Sequence, residues 1–546
     1  MVFARICSAL ACLAALSAGS HGQIRFRDAA QDGGLSFVHA SSPSNLKRMI
    51  EAVPGGVAAF DADSDGLIDI FFTNGAETAS LEKGGPTHWN RLFRNLGGMR
   101  FSDDTERSGL AGRGYSMGAA AADYDNDGDV DLFVAGYRAN ALYRNDGSGA
   151  FAEITSSAGI SSDHWSVAAG WFDYDRDGLL DLLIVNYLDW DPGDERYCGD
   201  RERGLRIYCS PTYFGGLPNT LYRNLGDGAF VDVSQASGLA RHVGKGMSVA
   251  FADYDLDGWT DAFVANDTEA DFLFRNNGDG TFEETGLLAG VGLASDGRPT
   301  SSMGVDFRDY DNDGLPDVHV TAINRQTFPL FRNTGGGLFE DTTARSGLHA
   351  MTVARSGWAN GLVDFDNDGW KDLFVAGSHV NDLAEEFENA EYLQPNAVFR
   401  NAGGGRFVDV SDSAGNFPPA AHRGAAFADF DLDGRIDVVV SVLDGAAELW
   451  RNETSNRNHW LAVRLVGTTS NADGIGARVR AGAQAAMVTS SIGYASATLA
   501  PLHLGLGEAA ELDRLRIRWP SGIDHSIEVE GVDQVLTVRE PLPGGP

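Results

Sequence analysis

Seven copies of one nine-residue pattern, Asp-x-Asp-x-Asp-Gly-x-x-Asp, constrain this 546-residue chain more than any other feature. The copies supply Asp61, Asp63, Asp65 and Asp69; Asp123, Asp125, Asp127 and Asp131; Asp173, Asp175, Asp177 and Asp181; Asp253, Asp255, Asp257 and Asp261; Asp309, Asp311, Asp313 and Asp317; Asp364, Asp366, Asp368 and Asp372; and Asp429, Asp431, Asp433 and Asp437. They start 62, 50, 80, 56, 55 and 65 residues apart. That is the spacing of one supersecondary unit per repeat with insertions, as in propeller blades.

Each loop lies between two apolar runs, such as GVAAF and DIFFTN around the first, which read as buried strands. A third run ends in Arg-Asn, at Arg94-Asn95, Arg144-Asn145, Arg223-Asn224, Arg275-Asn276, Arg332-Asn333, Arg400-Asn401 and Arg451-Asn452. In the first six units a Gly-rich turn then leads to a fourth strand opening on Phe; the seventh has none. Its counterpart, Phe26-Arg27-Asp28, stands before the first loop. Pairing it with the strand that ends at Arg451 closes a ring and removes the open sheet edges, which a linear solenoid would leave. The expected fold is all-β: a seven-bladed β-propeller with an aspartate loop in every blade, followed by a small β domain.

The loops predict calcium. Aspartates at positions 1, 3 and 5 converge, the glycine at position 6 permits the turn, and position 9 adds a fourth carboxylate. No His or Cys intrudes to favour zinc or copper. The set resembles the ligand arrangement of an EF-hand, although these loops join strands and lack the Glu at position 12. About seven ions are expected, each stapling its blade; the aspartates are ligands and not catalysts.

The formal net charge of −35 argues against nucleic acid or an anionic membrane as partner. Residues 1–22 read as a secretory signal, with one Arg, an apolar run from Ile6 to Leu16 and small residues after it. A lipoprotein reading through Cys12 is weaker, because the apolar run before it is short. No other run reaches the length of a membrane span, so a soluble, secreted or periplasmic protein is expected. There Cys198 and Cys209 form a disulfide stapling one loop.

The repeats resemble the FG-GAP, or VCBS, repeats of integrin α-subunit propellers and of exported bacterial proteins, over residues 23–455. Residues 456–546 look like an ASPIC/UnbV domain, through NHWLAVRL (Asn458 to Leu465), DGIGARV (Asp473 to Val479), HLGLG (His503 to Gly507) and WPSG (Trp519 to Gly522). The motif glycines and Trp519 read as turn and core residues. The combination resembles the cartilage acidic protein family, which implies secretion, calcium binding and adhesion.

With the loops on one face, the opposite face is built from segments entering the first strand and leaving the second. These carry Trp165, Asn186, Tyr187, Lys245, Asn266, Asp267, Asn324, Arg325, Trp358, His379 and Arg423. Aromatic surfaces beside amides and charges suit a glycan or small polar ligand, against the plainer reading of a plugged structural channel. The long loop from Tyr187 to Asn219, with its Cys pair and aromatic residues, is expected to wall that site. Binding of a glycan, protein or small polar ligand is the favoured function, because no GxSxG, HExxH, phosphate-cradling or dinucleotide motif is present. The alternatives are an enzyme at the axial mouth, of the lyase, dehydratase or cyclase kind, and a purely structural exported protein.

Overall fold

A computed structural model describes residues 23–542 except 162 and 195. The proposed signal segment, 1–22, lies outside the described residues. The architecture is all-β, and no described helix exceeds five residues.

Each repeat forms a four-stranded antiparallel meander. Sheet 2 shows the plan: Tyr115–Ala122, Asp131–Tyr137, Ala141–Asn145 and Phe151–Glu153, hydrogen-bonded in that order. Its first two strands are buried throughout, the third partly, and in the fourth only Phe151 is buried. Strands such as YSMGAAAA therefore need no polar alternation, because both their faces are covered by other protein. Their alanines and glycines also let the first strands of neighbouring sheets approach closely.

Sheet 7 takes its fourth strand from the other end of the chain, as the sequence predicts. Phe26 pairs with Asn452, Arg27 with Arg451 and Asp28 with Trp450. The apolar clusters between sheets follow in cyclic order. Phe60 and Ala121 join sheets 1 and 2, and Trp171 and Phe133 join sheets 2 and 3. Phe251 and Leu183 join sheets 3 and 4, Phe263 and Phe307 sheets 4 and 5, and Leu330 and Phe399 sheets 5 and 6. Phe374 and Val438 join sheets 6 and 7, and Val439 and Ile70 join sheet 7 back to sheet 1.

The C-terminal region forms two further sheets. One orders Leu502–Gly507, His459–Val466 and Gln534–Arg539; the other orders Gln484–Met487, Arg478–Ala481, Arg514–Arg518 and Asp524–Glu528. Leu461, Val463, Val479, Leu515, Ile517 and Trp519 fill the core between them.

One part of this region leaves its own core. Ser491–Ile492 and Ser496–Leu499 form a hairpin whose second strand adds parallel to the inner edge of sheet 1, pairing Ala58 with Ala497 and Phe60 with Leu499. Gly493 N–H donates to Val305 of sheet 5 (3.0 Å), Ala495 O accepts from Ala119 of sheet 2 (3.1 Å), and Thr498 Oγ1 accepts from Phe427 of sheet 7 (3.1 Å). Tyr494 packs edge-on against Trp358 of sheet 6, with ring centroids 4.9 Å apart. Contacts with the first strands of sheets 3 and 4 complete the set, so the hairpin touches the first strand of every repeat sheet.

Candidate metal loops and axial mouth

The aspartate loops share one hydrogen-bond scheme, except that in loops 4 and 5 the N–H at position 5 turns to the carboxylate at position 3. In loop 1, Asp61 accepts backbone N–H groups from Asp65 (3.1 Å) and Gly66 (2.9 Å), and Asp65 accepts from Leu67 (2.9 Å). Asp69 accepts from Ala62 (2.9 Å) and Asn95 (2.6 Å). The turn forces the fourth residue into the left-handed region in all seven loops, with φ between 56° and 61° from Ser64 to Leu432; the three asparagines, Asn126, Asn312 and Asn367, suit it, whereas Leu256 and Leu432 do not. Glycine follows at position 6 with φ of 84° to 99°.

The resulting carboxylates are closely grouped. Ligand oxygens of Asp61, Asp63 and Asp69 lie within 4.8 Å of one another, as do those of Asp173, Asp175 and Asp181. Burial, with the neighbouring carboxylates adding to it, pushes Asp69 and Asp173 up to about 7 and Asp131 to about 9. In six loops one carboxylate oxygen is buried without a hydrogen-bond partner: on Asp63, Asp125, Asp175, Asp253, Asp309 and Asp431. A buried, unpaired carboxylate oxygen is costly unless a cation meets it, so the loops fit a hard divalent ion held by oxygen.

The Arg-Asn signature, whose role sequence reasoning left open, acts on these loops. Arg94 pairs with Asp63 and Asp65, and Arg223, Arg332, Arg400 and Arg451 repeat the arrangement on their own loops. The asparagine stitches neighbours. Asn95 Nδ2 donates to Ile68 O of its own loop (3.0 Å) and to Phe430 O of loop 7 (2.9 Å). Asn145, Asn224, Asn276, Asn333, Asn401 and Asn452 each bond in the same way to the preceding loop, at Ala62, Tyr124, Tyr174, Tyr254, Tyr310 and Phe365.

The C-terminal motifs dock on the loops. Asp473 accepts the N–H of Asp123 (2.8 Å), His503 bonds Asn367 (2.7 Å), and Gly507 N–H donates to Asn367 O (2.8 Å). A Cβ on Gly505 would fall 2.0 Å from Asp364 Oδ2, so glycine is required by close approach. Trp519 is a core residue as expected, 1% exposed.

At the other end of the axis, the structure brings Trp165, Tyr187, Trp358 and Arg423 to one buried centre. Trp165 meets Tyr187 edge-on at 5.2 Å, and the Arg423 guanidinium lies 3.9 Å from the Trp358 ring centroid. Arg423 donates to Ala52 O (2.9 Å) and His422 O (2.8 Å), while its Nη2 is buried without a hydrogen-bond partner, as is Trp165 Nε1; His379 Nε2 lies 3.8 Å from Glu388. Tyr187 donates to Asp267 (2.7 Å), whose carboxyl burial pushes up to about 6, and Lys245 pairs with Glu269 (2.9 Å). Asn186 and Asn266 spend their amides within their own sheets, on Pro218 O and Ala270 O. The Asn324 backbone N–H bonds Ser356, and Arg325 stands exposed in a left-handed turn.

Loops roof this mouth. Cys198 and Cys209 are disulfide-bonded, and Tyr208 and Trp190 of the same loop pack into the central cluster with Trp165 and Trp358. Tyr208 N–H donates to Asn381 (3.1 Å), while Lys47–Asp382 and Arg203–Glu386 ion pairs tie the roof together. Sequence reasoning missed three groups here. His39 is buried with both ring nitrogens unpartnered, held down to about 3 by burial and then by Lys83 and Arg423. The Lys83 amine is buried on three backbone carbonyls, and Tyr494 arrives from the distant hairpin. None belongs to a repeat, so no sequence signal marks them.

Repeat units with conserved loop geometry and a docked C-terminal domain define the class. The chain belongs to the FG-GAP-like repeat family, whose model matches residues 61–134, 123–184, 213–264, 253–320, 309–375 and 364–440, and residues 467–543 match the ASPIC and UnbV domain. Among curated proteins it is similar to Cartilage acidic protein 1 of Xenopus tropicalis, 24% identical over 530 residues, which cover 92% of this chain and 67% of that protein. Cartilage acidic protein 1 of Mus musculus is 26% identical over 57% of this chain, and the match spans only 48% of the mouse protein. Solved structures with similar folds include an Agrocybe aegerita lectin (17% identity, 72% of this chain and 86% of that one, TM-score 0.37). Another is YCF48 bound to D1 peptide (8% identity, 81% of this chain and 100% of that one, TM-score 0.42). No described helix is long and apolar enough to cross a membrane.

Proposed function

We propose that the chain is an exported, calcium-loaded, seven-bladed β-propeller, residues 23–455, capped by its 456–546 domain, which acts as a binding or adhesion module. Its ligand is a glycan, a protein or a small polar molecule, taken at the face opposite the calcium loops. About seven calcium ions staple the blades, each held by the four aspartates of one loop. The cyclic asparagine bonds support the blade count, and the buried unpaired carboxylate oxygens support the metal. The disulfide supports an extracellular setting.

The observation that carries the binding reading is Arg423. A guanidinium stacked on an aromatic ring and left with an unpartnered buried nitrogen is a costly arrangement that a polar ligand would complete. Because the hairpin fills the axis, that ligand would enter at the mouth, beneath the disulfide loop. An array of oligosaccharides and small polar compounds, screened with calcium present, tests this. Ligands that bind wild type and an Arg423→Met variant of equal calcium content with equal affinity would refute it. An enzymatic reading at the same mouth, as a lyase, dehydratase or cyclase, draws on Asp267, whose raised carboxyl beside Tyr187 suits proton transfer.

A further inference from the structure

The chain carries a formal net charge of −35, yet one C-terminal sheet turns a row of arginines towards loop 4. Arg478 and Arg480 alternate on one strand, Arg516 and Arg518 on its neighbour, so all four share a face. The register sets Arg478 opposite Arg518 and Arg480 opposite Arg516. Like charges directly opposite each other weaken a sheet; at Arg478 the carboxylates of Asp253 and Asp309 oppose this.

Two of the four are engaged. Arg518 pairs with Asp524 at 2.7 Å, and Arg478 donates to Gly314 O. Among the described residues, neither Arg480 nor Arg516 pairs with a carboxylate. The four line a cleft of about 570 Å³ between the C-terminal domain and loop 4. A fifth arginine, Arg176 of loop 3, is fixed at its edge by a bond to Pro520 O (2.8 Å) and by the Trp259 ring (5.0 Å). Trp519 and His525 also line the cleft, and Trp519 Nε1 and His525 Nδ1 are buried without partners. Asp253, Asp257 and Thr260 form the facing wall. The arginine of that unit, Arg275, turns away to Glu283 (2.7 Å).

We propose that this cleft binds an acidic saccharide, with Arg480 and Arg516 taking its sulfate or carboxylate groups and Thr260 of the facing wall meeting a hydroxyl. Arginine forks match planar or tetrahedral oxyanions. Their spacing, about 7 Å along a strand and about 5 Å across, suits several anionic groups on one chain rather than a single ion. The site is separate from the mouth at Arg423, so either proposal can fail without the other.

The test is calorimetric titration of the calcium-loaded full chain with a sulfated chondroitin hexasaccharide, hexagalacturonate, neutral maltohexaose and inorganic sulfate. The expected result is saturable binding of one or both acidic hexasaccharides, the pair assigning sulfate or uronate, and no binding of the neutral one. An Arg480→Gln/Arg516→Gln double variant, both positions exposed, should bind at least about tenfold more weakly, with calcium content unchanged and melting temperature not lowered. Binding that survives the double substitution overturns the proposal. So does equal affinity for maltohexaose, sulfate binding as tightly as the saccharides, or no binding of either acidic probe.

Discussion

Asn95 donates a side-chain N–H to the Phe430 carbonyl at 2.9 Å, across 335 residues of sequence, and so joins the first aspartate loop to the last. The same amide also holds Ile68 O, and its backbone N–H holds Asp69. Asn95→Ala would leave two buried carbonyls without this donor, at a cost of about 2–4 kcal/mol. Because six other asparagines make the same bond, Asn224→Ala should cost a similar amount. Denaturant unfolding of both variants checks this; a loss confined to Asn95 would mean that only the chain termini depend on the stitch.

Leu256 occupies the left-handed position of loop 4 with φ of 61°. Leu256→Asn should raise stability by about 1 kcal/mol, since asparagine tolerates this conformation. Thermal unfolding with saturating calcium reads the gain.

Gly493 turns the hairpin at the axis with φ of 62°, and a Cβ there would lie 2.7 Å from Asn360 O. Gly493→Val should dislodge the hairpin and destabilise the chain by several kcal/mol, through strain and lost packing on Trp358. Limited proteolysis should then cut between residues 488 and 501, a segment expected to resist cleavage in wild type.

Much of this architecture was legible because it repeats. The loops and the Arg-Asn pairs state their own periodicity, and the complementary Phe26 strand fills the place the seventh unit leaves empty. Ser491–Leu499 carries no such marker. Its partner, Val57–Phe60, is more than 400 residues away, and its small residues read as one more strand of a local β domain. Only packing against all seven first strands distinguishes it. The mouth is hidden for a related reason: Arg423 stands in a repeat position, but His39 and Lys83 come from irregular segments where no pattern constrains them.

Glu540 anchors the last strand. Burial alone would raise its carboxyl, but bonds from Ser521 and from the backbone N–H groups of Thr468, Thr469 and Ser470, each 2.8 Å, hold it at about 2 against an ordinary 4.5. Its folded value is depressed, so its contribution is complete above pH 4.5 and lost as pH falls towards 2. Glu540→Gln should cost on the order of 2 kcal/mol at pH 7 and progressively less below pH 4.5. Unfolding curves of the two proteins across pH 2.5–7 measure the convergence.

The central claim is that cations held by the aspartate loops fasten the ring and the domain docked on it. Metal content of the purified protein, measured alongside thermal unfolding with calcium and after chelation, tests it most directly. The account predicts close to seven calcium ions per chain and a large fall in melting temperature on chelation, reversed by calcium. A protein that carries no calcium and melts at the same temperature with and without chelator would contradict it.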